Sequence, residues 1–166
     1  MDLLIGKFLM NQKEEAVVAA EVVRDVRYVI LYYSASWSPP CQTLLPRLKE
    51  IYENAKTHDI LLEVIFVPSD HDNEEMTRHF SVHHGPWYAV PVGSLAKAMR
   101  KKFHIVSIPT LIVLSKDGKV ITKNGRRDVE HLENPLKEWF PEYFADLQKP
   151  EQRAQSHIVP DSNDNT

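Results

Sequence analysis

The residues best suited to chemistry lie in Ser38-Pro39-Pro40-Cys41, which holds the single cysteine of this 166-residue chain. The run stands between a β-type stretch, Tyr28 to Ser34, and a helical pattern over Gln42 to Lys56. Ser38 is a natural helix N-cap, with Pro39 and Pro40 in the first turn. Neither proline has an N–H, so the spacing assigns the Ser38 hydroxyl to the backbone N–H of Cys41. Taken alone, this is a well-capped helix with a buried structural thiol, because free cysteine is among the most buried residue types. One cysteine also excludes an intramolecular disulfide and a Cys-rich zinc module.

Other clusters carry weaker signals. His79 and His83 lie four apart on a helical pattern with His71 and His84 nearby, a spacing able to hold zinc on one face. A helix C-terminus already explains His83 and His84, and no carboxylate or thiol is placed beside them, so the sequence assigns no metal. Asp70, Asp72 and Glu74 imitate the start of a calcium loop, but Glu75 stands at the glycine position and Ser81 at the closing one. Arg100-Lys101-Lys102 and Gly125-Arg126-Arg127 read as solvated basic faces, and Trp87 between Pro86 and Pro91 as packing. No cofactor motif is present.

The formal net charge of −3 argues against electrostatic nucleic-acid binding, and 43% apolar with 26% charged residues is ordinary for a globular chain. No apolar run approaches the roughly 18 residues that span a bilayer. Asp2 stands where a signal peptide carries positive charge, so a reducing compartment, cytoplasmic or nuclear, is expected. A monomer is expected as well.

Elements must hold the Ser38–Cys41 run in place. Tyr28 to Ser34, Leu61 to Val67 and Thr110 to Leu114 are short runs of branched and aromatic residues, which predicts strands buried on both faces. Between them, Leu45, Leu48, Ile51, Tyr52 and Ala55 form one apolar helical stripe, with a kink expected at Pro46. Asn73 to His83 predicts a helix capped by Asn73, and Ser94 to Lys102 a shorter one. Asp117-Gly118 predicts a hairpin returning through Val120 to Lys123, and Asn134-Pro135 opens a last helix interrupted by Pro141. The pattern is an α/β domain over residues 1–148, a central mixed sheet covered on both faces, followed by a tail over 149–166 expected to be disordered.

Several separated segments share one resemblance. Ser36-Trp37-Ser38-Pro39-Pro40-Cys41 resembles the Trp-Cys-Pro-Pro-Cys site of the tryparedoxin and nucleoredoxin branch of the thioredoxin-like family. Pro46, five residues after Cys41, and Phe66-Val67-Pro68-Ser69-Asp70 fit the same pattern. Pro86-Trp87-Tyr88-Ala89-Val90-Pro91 resembles that branch's Pro-Trp-Leu-Ala-Val-Pro segment. Ser107-Ile108-Pro109-Thr110, with Asp117-Gly118-Lys119 and Gly125-Arg126, resembles the family's cis-proline strand and hairpin. The likeness spans roughly residues 5 to 145 in order, far more than a lone short motif.

The resemblance implies a thioredoxin fold and protein-disulfide reductase chemistry. In active members the first cysteine, at a helix N-terminus, attacks a substrate disulfide, and the second resolves the mixed disulfide. By this match Cys41 takes the resolving position and Ser38 the place of the nucleophilic cysteine. Trp37, Pro39, Pro40, Ile108 and Pro109 match the surface that meets a protein thiol, disulfide or regulatory partner. Tyr32 stands where thioredoxins proper carry a buried Asp. A serine hydroxyl needs an adjacent base to attack at neutral pH, and none is evident, so dithiol turnover is not expected. The chain is a redox-incompetent relative, a monothiol form using Cys41, or an engineered Cys→Ser form; a binding module is the competing function.

Overall fold

Val29 to Tyr33 alternate strictly between two apolar interiors, which is why Tyr28–Ser34 forms the central strand rather than an edge. The computed structural model describes residues 2–145, and the expected 149–166 tail lies outside the described residues. In chain order the elements are β1 (Phe8–Met10), β2 (Ala16–Val18), α1 (Ala19–Arg24), β3 (Tyr28–Ser34), α2 (Pro39–Thr57) and β4 (Leu62–Pro68). There follow α3 (Asn73–His83), β5 (Tyr88–Ala89), α4 (Ser94–Lys102), β6 (Thr110–Ser115), β7 (Val120–Thr122), α5 (Gly125–His131) and α6 (Pro135–Trp139). One-turn 3₁₀ segments stand at Asp2–Leu4 and Pro141–Phe144.

The strands form one mixed sheet in the order β2-β1-β5-β4-β3-β6-β7. β3 pairs parallel with β4 and antiparallel with β6. On one face Ile30, Tyr32, Val64, Phe66 and Leu111 pack against α2, α3 and α6. On the other, Leu31, Tyr33, Ile65, Val67 and Ile112 meet Ala19 of α1 and Met99 of α4. Burying each such side chain contributes about 1.5–3 kcal/mol, and the expected α/β architecture with a doubly covered sheet is what this packing produces. No helix among the described residues is long and apolar enough to cross a membrane.

Some local expectations need correction. The second strand starts at Leu62, because the Leu61 carbonyl turns to accept the N–H groups of both Arg27 and Tyr28. The cap of α3 is Asp72, whose extended backbone lets its carboxylate accept the Glu75 N–H at 2.8 Å. Asn73 instead accepts the Val92 N–H at 2.8 Å and ties α3 to the loop before α4. The β1–β2 hairpin was not anticipated: the Asn11 side chain accepts the N–H groups of Lys13 and Glu15, and Glu14 takes a φ of 65°. α2 runs through Pro46 as one helix of 19 residues, although the Gln42 carbonyl lacks its usual donor there.

Candidate functional site

The parallel register pairs Ser34 with Pro68 and the antiparallel register pairs Tyr33 with Thr110. Three chain segments therefore leave the sheet at one end: Ala35 to Ser38 into α2, Ser69 to Asp72 into α3, and Ser107 to Pro109 arriving at β6. This convergence positions every candidate residue. The Ile108–Pro109 peptide is cis, and Arg126 of α5 donates to the Pro109 carbonyl at 3.5 Å. Thr110 holds the same loop through a 2.6 Å bond to the Ser107 carbonyl.

Ser38 and Cys41 are both buried, and only 2% of the Cys41 surface is exposed. Ser38 is the N-cap of α2, and its carbonyl accepts the Gln42 N–H at 3.1 Å. Its hydroxyl makes no capping bond, which corrects the expected bond to Cys41. The two prolines remove the neighbouring donors, and the hydroxyl does not turn to the third position. Beneath the helix start, the Tyr32 hydroxyl donates to the Cys41 carbonyl at 3.5 Å and accepts from Ser34 at 3.1 Å. Burial pushes the Tyr32 phenol up, so it stays protonated and offers no base.

Around this buried pair the surface is apolar and open. Trp37 is 51% exposed and stacks on His71, with ring centroids 6.2 Å apart and planes at 15°. Val106 is 94% exposed, Pro39 and Pro40 are exposed, and Ile108 is half-buried. Asp70 is buried and accepts from both the amide and the hydroxyl of Ser36, fixing the turn that presents Trp37. The sequence offered Asp70 and His71 only as metal-ligand candidates and did not single out Val106, because their roles at this surface depend on the parallel register and on loop exposure. His79 and His83 lie apart from this surface, on α3, and Trp87 is buried as packing. Among the described residues, no group of three or more His, Cys, Asp or Glu side chains is placed to hold a metal ion.

A family model described as thioredoxin-like matches residues 25–120, more than half the chain. The chain belongs to the thioredoxin-like family. Within that family it is related to the nucleoredoxin and tryparedoxin branch. It is 39% identical over 151 residues to nucleoredoxin of Danio rerio, covering 88% of this chain and 34% of that protein. The chain spans about a third or less of the length of the first curated relatives it matches. Among solved structures it is similar to a thioredoxin from Wuchereria bancrofti, at 37% identity and a TM-score of 0.72, over 84% of this chain and 97% of that one. It is likewise similar to tryparedoxin I from Crithidia fasciculata, at 30% identity and a TM-score of 0.70, over 84% and 94%.

A thioredoxin-like site needs two thiols to release a reduced substrate, because the second displaces the first from the mixed disulfide. This thioredoxin-like chain has one cysteine, and it is the more buried position of the motif. No imidazole or carboxylate hydrogen-bonds Ser38 among the described residues, so nothing raises the nucleophilicity of its hydroxyl.

Proposed function

We propose that this domain keeps the partner-docking face of a nucleoredoxin- or tryparedoxin-type protein-disulfide reductase but does not turn over as a dithiol enzyme. It then serves as a binding module for a protein partner, in the cytoplasm or nucleus. Trp37, Pro39 and Pro40 form one wall of the face and half-buried Ile108 forms the other, with the buried Pro109 shaping the loop behind it and an extended partner segment pairing with the loop backbone. Cys41 holds the resolving position beneath this face, and Ser38 holds the place from which a nucleophilic thiol would attack.

The observation that carries this reading is the pairing of one 2%-exposed cysteine with an exposed aromatic and aliphatic rim on the same end of the sheet. A family scaffold with an open docking surface and half of its redox couple binds better than it reduces. Insulin-disulfide reduction by the chain and by a Ser38→Cys variant tests it. Activity that appears only with the substitution supports the reading, and turnover by the chain as it stands contradicts it.

A further inference from the structure

The last turn of α4 ends in Arg100, Lys101 and Lys102, and the chain then doubles back into the docking face. His104 takes a left-handed φ of 53°, its N–H bonds to the Lys101 carbonyl at 3.2 Å, and the Ile105 N–H bonds to the Arg100 carbonyl at 3.0 Å. A helix end of this kind reverses the chain within two residues. Val106, Ser107 and Ile108 therefore follow directly from the basic turn. The turn is itself anchored at the site end of the sheet. The Arg100 guanidinium donates to the Pro68 carbonyl at 2.6 Å, and the Met99 carbonyl accepts the Tyr33 hydroxyl at 3.0 Å.

Cations at a helix C-terminus ordinarily answer its exposed carbonyls. Here the Met99, Arg100 and Lys101 carbonyls already have donors in Tyr33, Ile105 and His104, which leaves the two lysine ammoniums without that task. Lys101 and Lys102 are exposed, and among the described residues neither forms an ion pair. Lys102 stands only 6.0 Å from the centre of the Phe103 ring. Asp70 is occupied by Ser36, and Asp2, on the 3₁₀ segment packed beside α4, makes no ion pair with them. Along the chain no Asp or Glu occurs between Glu75 and Asp117, a stretch that carries six Lys and Arg residues in a protein of net charge −3. One flank of the docking face is thus basic in a protein that is acidic as a whole.

We infer that the partner segment taken by the docking face is acidic, with Asp or Glu side chains set beside Val106 so that Lys101 and Lys102 receive them. The inference rests on the docking reading above and adds the chemistry of the segment. Val106 is 94% exposed and supplies an apolar contact next to the loop backbone. Carboxylates flanking that contact meet ammonium groups that have no ion pair to give up. Charges at such a rim select among partners and speed their encounter more than they tighten the complex.

Binding of the full chain to an array of random short peptides, read at low and at high salt, tests this. Peptides retained at low salt are expected to be enriched in Asp and Glu roughly threefold or more over the array average, and to be lost at high salt. Lys101→Glu with Lys102→Glu is expected to weaken a retained acidic peptide by roughly tenfold, and Lys101→Gln with Lys102→Gln by less. Lys137→Glu should bind as the unaltered chain does, since it lies on α6, whose C-cap Phe140 packs on Tyr28 at the opposite end of β3. Circular dichroism checks that each variant folds. Peptides lost with Trp37→Ala but showing no acidic preference, or unaffected by the lysine changes, overturn the inference and leave the docking face standing. Acidic peptides held equally well by Trp37→Ala, or no retained peptide at all, overturn both. A single-stranded oligonucleotide bound as tightly as an acidic peptide, or self-association lost with the two lysines, would give the surface another occupant and overturn the inference as well.

Discussion

Ser36, just past β3, donates its hydroxyl and its amide to the same carboxylate oxygen of Asp70, just past β4, the amide at 3.2 Å. The other Asp70 oxygen is buried without a hydrogen-bond partner among the described residues. One carboxylate thus clamps the turn that carries Trp37 and Ser38. Asp70→Ala removes the acceptor from two partly buried donors and is expected to cost about 1–3 kcal/mol in urea unfolding. Trp87 and Trp139 are buried, so iodide quenching of tryptophan fluorescence reports on Trp37. Quenching should become stronger in the variant; unchanged stability and quenching would remove Asp70 from its clamping role.

Burial of Cys41 makes its reactivity a measure of local opening. Alkylation by iodoacetamide is expected to be much slower in the native chain than in denaturant, where the thiol is free. A native rate equal to that of a free thiol would instead favour a monothiol role.

Gly125 opens α5 against the backbone of β6. A Cβ at this position would lie 2.7 Å from the Leu111 carbonyl oxygen, inside normal contact. Gly125→Ala therefore forces α5 away from the sheet and is expected to cost about 1–3 kcal/mol. The same shift would move Arg126 from the Pro109 carbonyl, so amide NMR shifts in the loop from Ser107 to Thr110 should change along with the unfolding midpoint. A variant as stable as the parent would show that this approach is not tight.

Buried His84 and partly buried Glu63 drive stability in opposite directions with pH. Burial holds His84 well below 6.5, so the unfolded chain takes up a proton that the folded chain refuses, and stability falls as pH drops below 6.5. Burial pushes the Glu63 carboxyl up from 4.5 to about 7. The folded chain then holds the extra proton between those values, and the Glu63 contribution is lost as pH rises through about 7. Glu63→Gln keeps an acceptor for the Tyr52 hydroxyl, which lies 3.1 Å from Glu63, and removes the titration. Relative to the parent, this variant should gain stability as pH rises from 4.5 through about 7 in urea unfolding. Parallel curves would contradict the burial argument.

The core strands and the Ser38–Cys41 turn were legible because their signals are local. Val29 to Tyr33 cannot avoid a doubly buried strand, and two prolines after Ser38 cannot avoid a helix start. What stayed hidden depends on pairing across distance. Ser36 and Asp70 meet only through the parallel register of β3 and β4, and nothing near Asp70 distinguishes a clamp from a loop acid. Asp72 and Asn73 are adjacent residues of equal capping ability, so the choice between them falls to tertiary contact, with Val92 taking Asn73. The β1–β2 hairpin has strands of three residues, too short for a period-two pattern, and its Asn11 turn is masked by the polar run that follows it.

The proposed docking face stands on a scaffold that holds one cysteine where a redox couple needs two. Insulin-disulfide reduction by the unaltered chain, the Ser38→Cys variant and a Cys41→Ala variant tests this account most directly. Negligible turnover by the unaltered chain and gain of turnover with Ser38→Cys is the predicted result. Robust turnover by the unaltered chain, abolished by Cys41→Ala, would contradict it.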